Sequence, residues 1–518
     1  MTRLKGRIIH DVIVVGAGPV GLFAAQELAL AGCSVLVLER DREPTSPWKT
    51  LPLGLRGLNA GSVQTLDRRG LLAAVAEASH IDVATLGAPH DAVDAPAPRD
   101  VSHFAGMGLD AHLIDTAALG YRLPSPAAEG FMTSLDAFSS ALCKRLAELG
   151  VDVIRGASVT AVSQDDECVV AQAADREYRA RWLVGCDGGR SAVRALADFD
   201  FVGSGPTFTG YVAHVSFADA QRLPYGFNVT SNGMYLRTPL EGHVGMMDFD
   251  GGAFDRSQPL TCGHLESVLR RVSGADVSIR EVHLASSFTD RAMQTSSYRS
   301  GRVLLAGDAA HIHSPLGGQG LNLGIGDALN LGWKLAATVH GYATDELLDT
   351  YGAERHPVGA DVLDWSRAQV AAMKPAANTP ALRKLLLAVM NTPCGATHVY
   401  RTTSGLFHHY DLGGGHPIVG TSAPDFQLAD GRRLGDLIRG GRGIVLDVHG
   451  QTLRNAVNGW EGRIDYRPGP VRDDLGFHSL LIRPDGIVAW ASGGDPDTEV
   501  FLQTATRWFG LPSGHGVG

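Results

Sequence analysis

Glycines and carboxylates, rather than a nucleophile with its base, are the residues of this chain whose spacing could do chemistry. GAGPVG places glycine at Gly16, Gly18 and Gly21, directly after the apolar run DVIVV (Asp11–Val15). A buried strand that runs into such a turn and then into a helix serves a diphosphate. One glycine makes the turn, one lets the backbone approach the anion, and one lets the helix pack on the strand. The anion rests at the helix N-terminus. A second apolar run, SVLVL, ends on Glu39, followed by Arg40. A carboxylate at that distance grips ribose hydroxyls and repels a 2′-phosphate, so the unit suits the adenosine half of FAD or NAD rather than NADP.

Two further strand-like runs end the same way. RWLVGCDGGRSAVR (Arg181–Arg194) stops at Asp187 and Gly188, and RVLLAGD stops at Gly307 and Asp308. Ligands of open α/β sheets lie beyond the carboxyl ends of the strands, so these ends can converge on one long cofactor. Pro315, Leu316, Gly317, Gly318, Gln319 and Gly320 then form a loop of exposed amides at the start of a helix expected near Leu321. Its positive end would welcome an anionic ring. Leu321, Ile325, Ala328, Leu329, Gly332 and Ala336 recur at helical spacing while Leu323, Leu331 and Leu335 cover other faces, which predicts an interior helix.

The rest of the chain narrows the partners. A length of 518 residues with 44% hydrophobic and 19% charged residues predicts a globular protein of several domains. A formal charge of −10 speaks against nucleic acid and anionic membranes. The six cysteines are scattered without C-x-x-C spacing, as in a reducing, cytoplasmic compartment. No run approaches the roughly 18 apolar residues of a membrane helix, and the short N-terminal apolar stretch enters a glycine turn rather than a cleavage site. His311 and His313 have H-x-H spacing but lack further ligands, so no metal is expected. Between about Phe199 and Leu284 short strands predict an antiparallel sheet, with Tyr211, His214, Phe227, Met234, Tyr235, Met246 and Phe249 as candidates to line a substrate cavity. Alternation alone does not fix which face looks inward.

GAGPVG with Glu39, CDGGRSAVR and GDAAHIHSPLGGQGLNLGIGDALNLGWKL resemble the three signature segments of the single-component FAD-dependent aromatic hydroxylases, the p-hydroxybenzoate hydroxylase fold. The segments GGGHPIVGTSAPDFQLADG, LLIRPDGIVAWA and RWFG are similar to the thioredoxin-like tail of its phenol hydroxylase and actinobacterial polyketide hydroxylase branches. The resemblance implies an α/β protein with a Rossmann-like FAD-binding domain (1–78, 121–198 and 287–412 with a helical linker), an inserted antiparallel-sheet substrate domain (79–120 and 199–286) and a C-terminal domain (413–518). It implies that Gly16, Gly18 and Gly21 bind the FAD diphosphate, and that Glu39, with Arg40 beside it, holds the adenosine ribose. Asp187 and Gly188 would serve both FAD and the nicotinamide cofactor, to which Arg190 would offer charge. Gly307 and Asp308 would hold the ribityl chain, and Pro315, Gly317, Gly318, Gly320 and Asn322 would surround the flavin ring where oxygen reacts. Two positions depart from the family: Leu135 and Ser139 stand where many relatives carry Gln-x-x-x-Glu, and Arg56 in PLGLRGLN stands near a customary Ser-Arg-Gly.

The implied activity is hydroxylation of a bulky phenolic or quinonoid ring, of polyketide type, through a flavin C4a-hydroperoxide. The reductant would be NADPH or NADH, docking transiently because the chain has no second dinucleotide domain. The partners are a small aromatic substrate and O2, and the chain is expected to be a monomer or homodimer. The alternatives are Baeyer–Villiger or ring-rearranging oxygenation by the same peroxide, and a non-catalytic binding member of the fold.

Overall fold

The computed structural model describes residues 2–4, 7–82, 100–127, 129–473 and 475–513. Residues 83–99, within the stretch expected to open the substrate domain, lie outside the described residues.

Unbroken apolar runs make strands that are covered on both faces. Asp11–Val15 falls inside the strand Arg7–Val15, and SVLVL inside Val35–Glu39, whose five residues are all buried. Together with Val303–Leu305, Arg176–Gly185 and Asp152–Arg155 they form a parallel core in the order Val303–Leu305, Arg176–Gly185, Arg7–Val15, Val35–Glu39, Asp152–Arg155. The register decides where the turns emerge. Gly185 pairs with both Val15 and Leu305, and Val15 also pairs with Leu38. The chain therefore leaves the sheet at neighbouring points, at Gly16, Cys186 and Ala306.

Two helices pack over this edge. Pro19–Leu30 lies against Gln319–Val339, the long helix expected from Leu321, which begins two residues earlier because Gly318 adopts the left-handed φ of +63° that caps it. Glycine permits the close approach of these two helices. A Cβ on Gly324 would lie 2.4 Å from Val20, and one on Gly332 would lie 2.4 Å from Glu27.

The second sheet runs Gly226–Val229, Gly233–Arg237, His243–Asp248, Thr209–Phe217, Ile279–Thr289, with every pair antiparallel. One face is covered by the helix Cys262–Ser273, which Thr261 caps at its start and Gly274 ends in the left-handed region. The period-two alternation sorts the candidate cavity residues by face. Tyr211, Tyr235 and Met246 pack with Leu265, Val268 and Leu269 of the covering helix, so their assignment to the substrate cavity is corrected: they are core beneath that helix. Met234, with Phe227 and Phe249 packed against it, joins Phe104, Phe208, Met247 and Leu316 on the opposite face. His214 shares that opposite face by parity, half-buried with its ring 4.8 Å from His283.

The C-terminal part has a sheet in the order Ile464–Pro468, Gly443–Asp447, Ser479–Ile482, Val488–Ser492, with the first pair parallel and the others antiparallel. The closing helix Thr498–Phe509 packs on it. No cysteine occurs beyond Cys394, so thiol chemistry plays no part there. This part is anchored by buried charge to the helices Pro19–Leu30, Gln319–Val339 and Asp345–Met373. Arg483, fully buried, donates to both oxygens of Glu354 at 2.8 Å and also pairs with Asp485. Glu354 accepts from Lys334 and Asn330 of the long helix, and Arg69 pairs with Glu27 while donating to Ile438 O and Pro484 O. Buried pairs of this kind persist because each charge is matched and hydrogen-bonded.

Candidate functional site

At the first strand end glycine is obligatory for steric reasons. Gly16 has φ +104°, and a Cβ there would lie 2.5 Å from Cys186 O; one on Gly21 would lie 2.0 Å from Gly16 O. Gly18 differs, because no protein atom comes within 4 Å of the place its Cβ would take. It caps Pro19–Leu30 without a side-chain hydrogen bond, and Pro19 occupies the first turn. An uncapped helix start bordering open space is a cradle for an anion. Gly188 and Gly318 border open space in the same way, so each signature segment carries one bare glycine.

Glu39 ends its strand 7% exposed, its Oε2 accepting from Ala17 N at 2.5 Å and its Oε1 from Asp41 N at 2.8 Å. It ties the glycine turn to the end of its strand. Arg40 is exposed and pairs with Asp41, so it sits at the rim.

At the second strand end, Asp187 accepts from Ser191 Oγ at 2.5 Å, Ala192 N at 2.7 Å and Val193 N at 3.1 Å. Its carboxylate holds the start of the short helix Ala192–Leu196. Asp187→Ala is therefore expected to lose about 1 kcal/mol of stability, checked as a small fall in Tm. Arg190 is exposed. Its neighbour in the motif, Arg194, had no role in the sequence reading; it donates to Ala309 O at 2.9 Å and lies over the Phe201 ring, tying the second segment to the third.

At the third strand end, Gly307 takes φ +63° and donates its N–H to Asp327 Oδ2 at 3.1 Å. Asp308 is exposed, and among the described residues no group hydrogen-bonds to it. Beside it His313 donates from Nδ1 to Ser314 O at 2.7 Å, while its Nε2 is buried without a partner, 3.6 Å from the place of a Gly320 Cβ. His311 is committed to Asp327 at 2.7 Å. Among the described residues no group of three or more His, Cys, Asp or Glu gathers to hold a metal ion.

The loop Pro315–Gly318 carries two consecutive left-handed residues, Gly317 at φ +77° and Gly318 at φ +63°. Side chains are strained there. Asn322 braces it: its Nδ2 donates to Gly318 O at 2.8 Å and Gly57 O at 2.9 Å, and its Oδ1 accepts from Asn59 N at 2.9 Å. Gly57 lies on the strand Leu55–Leu58, which also carries Arg56. Arg56 donates to Leu53 O and Leu55 O. Burial pushes its guanidinium below its ordinary value, and the charge of nearby Asp308 opposes that. Burial, then His214 and Arg56, lower the His243 imidazole. Where the family carries Gln-x-x-x-Glu, Leu135 opens the helix Leu135–Glu148 and Ser139 is buried with its hydroxyl unpartnered.

The residues present fit FAD. Open glycines after two neighbouring strand ends and at the start of Gln319–Val339 suit a diphosphate and its neighbours, an exposed carboxylate suits hydroxyls, and the unpartnered His313 Nε2 awaits a polar counterpart. Gly16, Gly18, Gly21 and Glu39 would hold the adenosine end, and Asp308 with the Pro315–Gly320 loop the ring end.

Comparison with known proteins agrees. Residues 10–366 match the FAD binding domain family, and residues 416–512 match the aromatic-ring hydroxylase C-terminal family. A monooxygenase of Claviceps purpurea is 42% identical, with 98% of each chain covered. The 12-dehydrotetracycline 5-monooxygenase/anhydrotetracycline 6-monooxygenase of Streptomyces rimosus is 36% identical, over 97% of this chain and 99% of that one. The solved anhydrotetracycline hydroxylase of Streptomyces rimosus superposes with a TM-score of 0.84 at 33% identity, covering 98% of this chain and 100% of that one. The chain thus belongs to the single-component FAD-dependent aromatic-ring hydroxylases, monooxygenases that draw electrons from NAD(P)H.

Proposed function

We propose that the protein hydroxylates a bulky phenolic or quinonoid aromatic of polyketide type. The observation that carries the reading is a juxtaposition. Leu316, in the loop Pro315–Gly318, packs in one cluster with Phe104, Phe208, Met234 and Met247 of the substrate side. An apolar, aromatic-lined face thereby meets the cofactor's reactive end. The tetracycline named for the Streptomyces rimosus relative supports a polycyclic substrate.

FAD, when bound, supplies the passage of two electrons from NADPH or NADH to O2. The balance is one aromatic C–H, one O2, one NAD(P)H and one proton giving a phenol, water and NAD(P)+. The chain's own groups do the rest. Gly317 and Gly318, after Pro315, would present backbone rather than side chains to the ring. Leu316 and the methionine and phenylalanine side chains exclude water. Six free cysteines fit a reducing, cytoplasmic compartment, and among the described residues no helix is long and apolar enough to cross a membrane.

Arg190 offers its exposed guanidinium to the reductant, and its charge and that of Arg291 reach Arg256, whose guanidinium burial, then those charges, lower. Arg190→Ala is expected to raise KM for NADPH by about tenfold, roughly one lost charge-assisted contact, with FAD content unchanged. Steady-state NADPH oxidation measures it.

The activity itself is tested by supplying NADPH, 18O2 and a panel of polycyclic phenols to the FAD-loaded protein. One 18O atom on an intact ring is the expected product. Oxygen inserted into a ring C–C bond would replace hydroxylation by the Baeyer–Villiger outcome.

A further inference from the structure

The helix Asp345–Met373 passes behind the flavin loop and carries polar groups that the fold leaves unused. Gln369 is fully buried. Its Oε1 accepts from Ala105 N at 3.0 Å, which fixes the orientation of the amide, and its Nε2 has no partner among the described residues. That nitrogen lies 3.3 Å from the place of a Gly317 Cβ, against the loop itself. One helical turn earlier, Trp365 packs edge-on to Phe104 with ring centroids 4.9 Å apart, and its Nε1 is likewise buried and unpartnered. Ser314, 1% exposed and next to Pro315, has an unpartnered hydroxyl.

Residues four apart share a helix face. Val370 and Met373 of the same helix join Leu316, Met234 and Met247 in the substrate-side cluster, so this face borders the place where the ring is to be hydroxylated. The amide nitrogen carries two N–H groups and the indole one, and neither can accept. Buried donors without acceptors are rare in native proteins and call for a counterpart. An apolar wall with N–H groups set into it is complementary to a flat apolar ligand whose edge carries oxygen acceptors.

We propose that Gln369, supported by Trp365 and Ser314, forms the subsite that recognises an oxygen of the aromatic substrate, a phenolate or a quinone carbonyl, beside the Pro315–Gly318 loop. This rests on the aromatic hydroxylase reading. It makes Gln369 a specificity-determining residue: an oxygen held there fixes which edge of the ring is presented to the loop. Anionic oxygen is favoured over neutral, because hydrogen bonds to a charged acceptor are about twice as strong.

The test uses the FAD-loaded protein and a matched pair of probes, 1-naphthol and naphthalene, titrated against the flavin absorbance band. Gln369→Leu keeps the volume and removes the donor together with the acceptor for Ala105 N; Trp365→Phe keeps an aromatic ring and removes the N–H without touching that contact. Gln369→Leu is expected to weaken 1-naphthol by about tenfold and to leave naphthalene within twofold, and Trp365→Phe to act in the same direction. Equal weakening of both probes, or no change for 1-naphthol, would overturn the subsite and assign the donors to packing or to water. Should Gln369→Leu fail to hold FAD, Trp365→Phe decides alone by the same criterion. A wild-type protein that binds neither probe would overturn the aromatic-substrate reading together with the subsite, whereas one that binds both while the variants do not discriminate overturns the subsite alone.

Discussion

Gly18→Val is expected to fold and to emerge colourless. The backbone at Gly18 is ordinary, with φ −75° and ψ 173°, so a branched residue is not strained there. Nothing in the protein opposes it either, since no atom lies within 4 Å of the added Cβ. What it fills is the space in front of the helix Pro19–Leu30, where a diphosphate would meet the first-turn amides. Losing two charge-assisted hydrogen bonds costs about 3–6 kcal/mol, which is more than about 100-fold in FAD affinity. Gly18→Ala should fall between wild type and Gly18→Val. The ratio of flavin to protein absorbance after gel filtration measures the loss, with Tm as the control for folding. A fully yellow Gly18→Val would contradict the cradle. Gly16 and Gly21 cannot serve this test, because side chains there collide with Cys186 O and Gly16 O and would damage the fold itself.

Asp327→Ala is expected to destabilise the protein by about 3–5 kcal/mol, since it leaves Arg355 buried and uncompensated. Asp327 is fully buried and accepts from Arg355 Nε at 2.8 Å, from His311 Nε2 at 2.7 Å and from Gly307 N at 3.1 Å. The last two contacts fix the third strand end, so the variant should lose flavin as well as stability. Asp327→Asn, which keeps the shape and one acceptor, should lie between. Acid should mimic the substitution. Burial alone would raise the Asp327 carboxyl, but His311 and Arg355 hold it down to about 2 from an ordinary 3.8. A folded-state value below the unfolded one means that the stabilisation is complete above pH 4 and is lost as pH falls toward 2. Thermal melts between pH 7 and pH 2 should decline steeply only in that window, and less steeply in Asp327→Asn. An Asp327→Ala protein with wild-type Tm and flavin content would refute the role.

The strand ends were legible in the sequence because their determinants are local. DVIVV, WLVG and VLLAG are apolar runs that stop at glycine and SVLVL is one that stops at Glu39, and the parallel register then places their ends side by side. The buried charge was not legible. Asp327, Asn330 and Lys334 lie on a helix that otherwise reads as apolar, and their partners Arg355, Glu354 and Arg483 are remote in sequence. The one local signal was that charged and amide residues recur three and four apart on an interior helix, which requires counter-charges from elsewhere. The sheet faces failed for a different reason. Tyr211, Tyr235 and Met246 alternate as regularly as Met234 and Met247, and both faces are buried. Only the position of Cys262–Ser273 assigns the inside, and alternation carries no information about that. Asp187 shows the limit of motif reading, since its oxygens are occupied by a helix start that the pattern DGGRSAVR does not reveal.

The most direct test of the central claim is anaerobic stopped-flow reduction of the FAD-loaded protein by NADPH and by NADH, with and without polycyclic phenols, followed at the flavin absorbance band. A phenol fitting the Met234–Leu316 face is expected to accelerate reduction, and admitting air to return oxidised flavin together with that phenol carrying one more oxygen. A flavin that binds but is reduced by neither nicotinamide under any condition would contradict the claim.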